Sequence, residues 1–168
     1  MKRVLLSLFL ILFSCIVKGE TLDGYGNSKW GMSPQQVIYA EGGRAHLLKP
    51  PVKYYDSFGL VSIDSVEIGS SDYEVSYLFD KNNRLVQVNV SSKEKSNNLI
   101  NESNFKTVES LLTQKYGSPV YREDSVKSIW NVKGTTIELD HVYIANVVTK
   151  LTISYLPEKV TKSKTNNI

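Results

Sequence analysis

Two histidines, one cysteine and a scatter of carboxylates are the residues of this 168-residue chain that could do chemistry. A zinc site needs converging nitrogen and sulfur ligands, and His46, His141 and the single Cys15 supply too few. The sequence therefore implies no metal and no cofactor. Asp140-His141, at a strand end, has the composition of a base and its orienting acid, yet no serine stands in a nucleophile-elbow context to complete a triad. A solvated or capping histidine is the expectation. Glu123, Asp124, Glu138 and Asp140 could meet across a hairpin, and paired carboxylates can hydrolyse a glycosidic bond. Their spacing equally suits a polar strand face. Asp80-Lys81-Asn82-Asn83-Arg84 begins like a calcium loop but lacks the glycine at position six and the acid at position twelve, where Ser91 stands, so it reads as a turn. Gly24, Gly26 and Gly31 precede any strand, so no phosphate-cradling loop is present. The chain reads as a non-enzyme, with a carboxylate hydrolase the weakest of the readings.

The ten tyrosines carry more. Tyr73, Tyr77, Tyr116 and Tyr155 fall on apolar faces and belong to a core. Tyr54 and Tyr55 fall instead in residues 44–60, which show neither helical nor strand periodicity and contain Pro50-Pro51. Aromatic residues are enriched at recognition surfaces, and long irregular loops are commonly functional. His46, Lys53, Tyr54 and Tyr55 are therefore the candidate binding residues, for a protein partner or, alternatively, a small ligand or glycan. A loop folded back with its rings packed is the competing reading.

Elements that would position these residues follow from local rules. Ser33-Pro34-Gln35-Gln36 is a capping box with proline at the first helical position, and Val37, Ile38 and Ala40 supply a short apolar face before Gly42-Gly43. From Ile63 the period becomes two. Val66 and Ile68, then Tyr73, Val75, Tyr77 and Phe79, then Val86, Val88 and Val90 predict a three-stranded antiparallel meander. Ser91 to Asn101 reads as a loop. Phe105, Val108, Leu111, Leu112 and Tyr116 mark a helix over 103–116, stopped by Gly117 and Pro119. Val126, Ser128, Trp130 and Val132 alternate before a Lys133-Gly134 hairpin turn, Ile137 and Leu139 lead the return strand, and Leu151, Ile153 and Tyr155 mark the last. The expected fold is α+β: two short helices on a mostly antiparallel sheet of about seven strands.

The N-terminus reads as an address. Lys2-Arg3 precede an apolar run from Val4 to Val17, too short to span a bilayer and suited to a secretory signal peptide over residues 1–19. Cleavage after Gly19 would start the mature chain at Glu20 and leave it without cysteine, hence without disulfides. Alternatively Leu12-Phe13-Ser14-Cys15 resembles a lipobox, which would make Cys15 a lipid anchor. That is the one route to a membrane in this reading. A single domain is expected over 20–156, followed by a polar, lysine-rich, disordered tail over 157–168. The formal charge of +3 resides in the address: residues 20–156 hold 14 basic against 16 acidic side chains, so no nucleic-acid footprint remains.

Trp30-Gly31-Met32-Ser33 before a short helix, Ile68-Gly69 before Val75-Ser76-Tyr77-Leu78-Phe79, Leu85, the helix end Lys115-Tyr116-Gly117-Ser118-Pro119, Trp130, and the closing Leu151-Thr152-Ile153-Ser154-Tyr155 resemble a recurring class of small exported bacterial proteins. More distantly, Gly-Met-Ser before a helix and Gly-x-Pro after one are similar to the small lipoprotein of the outer-membrane barrel-assembly machinery and to β-lactamase-inhibitor-like modules. Here the two signals flank different helices. The resemblance implies an exported location and an α+β fold more than any activity, and no functional residue carries over from it. The leading expectation for the chain is a non-enzymatic periplasmic protein that binds another envelope protein, of inhibitor, immunity, assembly-factor or chaperone type.

Overall fold

Residues 22–158 are described by the computed structural model of the chain. The N-terminal apolar run, with the expected cleavage and lipidation positions including Cys15, and the residues beyond Glu158 lie outside the described residues. The described chain opens with a minimal hairpin, β1 (Gly24–Tyr25) and β2 (Ser28–Lys29), then α1 (Pro34–Ala40). Ser33 caps α1 as its spacing predicts: its hydroxyl accepts from Gln36 N, and the Gln36 side chain accepts from Ser33 N at 2.9 Å. Gly42 and Gly43, both at positive φ, then turn the chain out of the helix.

Four strands follow as a meander: β3 (His46–Tyr54), β4 (Ser57–Ile68), β5 (Ser71–Phe79) and β6 (Leu85–Ser92). The expectation of an irregular segment over 44–60 is corrected here, since β3 and the start of β4 form a hairpin. Pro50-Pro51 and a register shift between Leu47 and Val52 erase the alternation that would have announced β3. Such a strand survives because it lies at the sheet edge, where a missing N–H has no partner to lose. A second bulge corrects β6: Phe79 pairs with Leu85 and Leu78 with Gln87, so Val86 is the extra residue and Leu85 takes the core position.

α2 (Asn98–Tyr116) begins five residues earlier than periodicity suggested, because Asn97 caps it and the Glu94 carboxylate accepts from Ser96 N and Asn97 N. Phe105, Val108 and Leu112 are buried, whereas Leu111, counted in the apolar stripe, is exposed. Four more strands complete the chain: β7 (Tyr121–Glu123), β8 (Lys127–Val132), β9 (Thr135–Ile144) and β10 (Val148–Pro157). Pro157 pairs with Thr135, so the folded body includes it and does not stop at 156. Lys133-Gly134 is the tight turn between β8 and β9.

The eight strands form one antiparallel sheet in the order β3-β4-β5-β6-β10-β9-β8-β7. The fold is α+β, dominated by sheet. Each helix precedes a four-stranded meander, and the two meanders meet last strand to last strand, β6 against β10. Both helices press on the same face: Val37 of α1 and Phe105, Val108 and Leu112 of α2 join Val75, Tyr77, Val88, Ile153, Leu139 and Trp130 in one core. Burying side chains of this size contributes about 1.5–3 kcal/mol each.

The stretch Leu22–Met32 straps the two meanders together. Leu22 N donates to Lys133 O at 3.0 Å and the Trp30 indole to Thr135 Oγ1 at 3.0 Å, on the β9 side. Gly31 N donates to Leu85 O and Leu85 N to Met32 O, both at 2.9 Å, on the β6 side. Trp-Gly-Met-Ser is thus a structural clasp that ends in a helix cap. The Tyr25 ring plugs against Tyr155 and Tyr77, at 4.9 and 6.2 Å between centroids.

Candidate functional site

Strand alternation puts every second side chain on the face away from the helices. In β5, Val75 and Tyr77 are fully buried while Ser76 between them points outward. Register then aligns one outward row across all eight strands: His46, Ser62, Ser76, Asn89, Ser154, Glu138, Ile129 and Tyr121. A second row runs Glu74, Ser91, Thr152, Asp140, Lys127 and Glu123. The centre of this face is made of short hydroxyl and amide side chains, tied laterally to one another. Ser154 donates to Asn89 Oδ1 at 3.0 Å, Gln87 to Asn89 Oδ1 at 2.7 Å, and Ser91 and Thr152 hydroxyls meet at 3.3 Å. Short side chains of this kind lose little rotamer freedom on contact and bring a partner close to the strands.

The rim is different. On the β7 side stand Ile129 and the half-exposed Tyr121, whose hydroxyl donates to Glu123 at 3.2 Å. On the β3 side, the Tyr54 ring and Val52 lie over Gly59, where an added Cβ would sit 3.1 Å from Tyr54 Cε2. Gly59 pairs with Leu78, so this ring helps close over an outward-pointing leucine that is only 1% exposed.

Lys127 is the charged centre of the face. Its ammonium reaches Asp140 at 2.9 Å and Glu138 at 3.0 Å. Desolvation by burial works to lower its pKa, but the hydrogen bonds it donates to Asp140 and Glu138 outweigh that and hold the pKa above the usual lysine value. The four carboxylates considered for acid–base work are therefore divided: Glu138 and Asp140 share one lysine, Glu123 takes the Tyr121 hydroxyl, and Asp124 lies 3.6 Å from Arg122.

The four candidate binding residues do not form one cluster. His46 opens β3 on the outward row, with Nε2 3.5 Å from Asp64. Tyr54 closes the same strand eight residues later, about 25 Å away at 3.3 Å per residue. Lys53 pairs with Phe58 and projects to the side opposite Tyr54. Tyr55 occupies the turn and is 99% exposed. Of the two expectations for His141, the solvated one, at a strand end, is corrected. His141 lies within β9 and is 9% exposed; Nδ1 meets Ser125 O at 3.0 Å and Nε2 meets Asn98 Oδ1 at 3.1 Å. It seats the start of α2, while its neighbour Asp140 faces the opposite side of the strand. The turn reading of Asp80–Arg84 holds, with Asp80 Oδ1 accepting from Asn82 N and Arg84 N, both at 2.9 Å.

The outward rows were the part that sequence reasoning missed. Their signal is present as Ser76, Asn89, Ser91, Thr152 and Ser154 at alternate strand positions, but only the pairing register shows that they lie side by side. No family model matches the chain, nor does any curated protein or solved structure.

Proposed function

We propose that this chain is a non-enzymatic protein of the bacterial cell envelope, exported to the periplasm, whose uncovered sheet face binds another protein. The observation that carries the reading is the continuous outward row across eight strands, short and polar at its centre and ending in His46 on β3 and Tyr121 on β7. Both sheet edges are poor templates for strand addition. β3 carries two prolines and β7 has three residues, which leaves the face, rather than an edge, to meet a partner. The likeness of Trp-Gly-Met-Ser and the helix-ending Gly-Ser-Pro to small exported bacterial proteins supports the envelope location. Tryptophan at Ser154 and Asn89 fills the centre of the face without touching the core. The test is affinity capture from envelope extracts with the unaltered chain, with this double variant and with Ser110→Trp on the exposed side of α2. The reading expects one partner band that the face variant loses and the Ser110 variant keeps. Identical captures by all three would refute it.

A further inference from the structure

β9 and β10 outrun the rest of the sheet. β8 stops pairing with β9 at Asp140, and β6 pairs with β10 only from Thr152 onward, yet the β9–β10 ladder continues to Ile144 opposite Val148. The result is a projecting two-stranded ribbon. Its flanks and turn expose Val142, Tyr143, Ile144 and Val147 at 49, 54, 54 and 76%. No charged residue occurs from Val142 to Thr149. The other turns of the sheet carry charged or small polar residues: Asp56, Gly69-Ser70, Asp80 to Arg84, Asp124 and Lys133. Two lysines stand just behind the tip. Lys150 pairs with Val142, and Lys95 lines a shallow hollow with Tyr143, Ile144 and Val147. Both are exposed.

We propose that this ribbon tip docks into the interfacial zone of an anionic bilayer, with the aliphatic side chains among the upper acyl chains, Tyr143 at the headgroups, and Lys95 and Lys150 against lipid phosphates. The order of chemistry along the ribbon, apolar at the tip and cationic behind it, matches the order met on entering a leaflet from the acyl side outward. From Val147 to Lys150 the strand rises about 10 Å, the depth at which interfacial segments sit. Among the described residues no helix is long and apolar enough to cross a membrane. Leu22 hydrogen-bonds beside the β8–β9 turn, at the opposite end of β9. Docking would therefore stand the strands upright on the bilayer and leave the outward face free to the side.

The experiment is co-sedimentation of residues 20–168 with vesicles of one part phosphatidylserine to three parts phosphatidylcholine, and with phosphatidylcholine alone. Binding to the anionic vesicles is expected to exceed binding to the neutral ones. Ile144→Asp with Val147→Asp should weaken it by more than about tenfold, and Lys95→Glu or Lys150→Glu by about fivefold each. Thermal unfolding of the tip variants, which alter exposed positions alone, checks that they remain folded. The proposal is overturned by absence of vesicle binding, by equal binding of the tip variants, or by a concentration-dependent dimer that the tip variants abolish, which would make the tip a contact between copies.

Discussion

Replacing Glu41 by glutamine tests the strap that joins the two meanders. The Glu41 side chain is fully buried at the C-cap of α1. One carboxylate oxygen accepts from Asn27 N at 3.1 Å and Ser28 Oγ at 2.8 Å, and the other takes Arg44 Nε at 2.9 Å together with Arg44 Nη2. Glutamine offers one carbonyl oxygen. Whichever way the amide turns, its NH2 faces either the Asn27 amide or the Arg44 guanidinium, and both can only donate. A charge-assisted bond to a buried group is worth about 1.5–3 kcal/mol. Arg44 is half exposed, so its share is closer to the value of a surface pair, about 1 kcal/mol or less. The expected loss is about 2–4 kcal/mol, which for a domain of this size lowers Tm by roughly 10 °C. Urea and thermal denaturation followed by circular dichroism measure it, and amide exchange locates it at Asn27 and Gly31. A loss below about 0.5 kcal/mol, or unchanged protection at those amides, would refute the claim that Glu41 holds the strap.

Other consequences can be checked with the same assays. Gly117 ends α2 at φ 86°, ψ −171°, and its carbonyl accepts the Trp130 indole at 2.9 Å; Gly117→Ala should cost about 1–3 kcal/mol through that backbone conformation, and an unchanged urea midpoint would contradict it. Tyr73 is fully buried, its hydroxyl has no hydrogen-bond partner, and burial pushes its pKa up to about 12. A folded pKa above the unfolded value near 10 means that its contribution is intact below about pH 10 and is lost as pH climbs through about 12. Tyr73→Phe should therefore raise stability by about 1 kcal/mol at neutral pH and by more near pH 11; a marked loss at either pH would show that the hydroxyl is bonded. Lys127→Met leaves Glu138 and Asp140 as neighbouring charges on a partly buried face. It should cost about 1–2 kcal/mol at pH 7. Salt screens the repulsion left between the two carboxylates, so the deficit should shrink at about 1 M sodium chloride; a deficit that salt leaves unchanged would implicate lost packing instead.

What could be read without coordinates was whatever depends on near neighbours in the chain. The Ser33 capping box, the alternation of Tyr73 to Phe79, the Lys133-Gly134 turn and the Gly117 helix stop are all settled within a few residues, and each appears as expected. β3 was invisible because Pro50-Pro51 destroys its alternation, and an edge strand tolerates prolines for a reason that exists only in the sheet. Val86 looked like a core residue because a one-residue bulge opposite Phe79 changes the parity of β6, and no local rule announces it. The sequence leaves His141 open between a solvated and a capping role because its partners, Ser125 O and Asn98, come from elements distant in sequence. The same holds for the outward face. Serine and asparagine at alternate positions read as the wet side of each strand taken singly. Only β6 pairing with β10 joins the two halves into one surface and brings Asn89 beside Ser154. Tyr54 and His46, chosen for their types, do reach the β3 side of that surface, but a strand's length apart.

In-cell photocrosslinking tests the central claim most directly. A photoreactive amino acid at Asn89 and, separately, at Ser154 places the probe at the junction of the two meanders. The account predicts that both positions give a crosslinked product of the same mass, containing one other envelope protein, and that the same probe at Ser110 does not. No product from either face position, or the same product from Ser110, would contradict it.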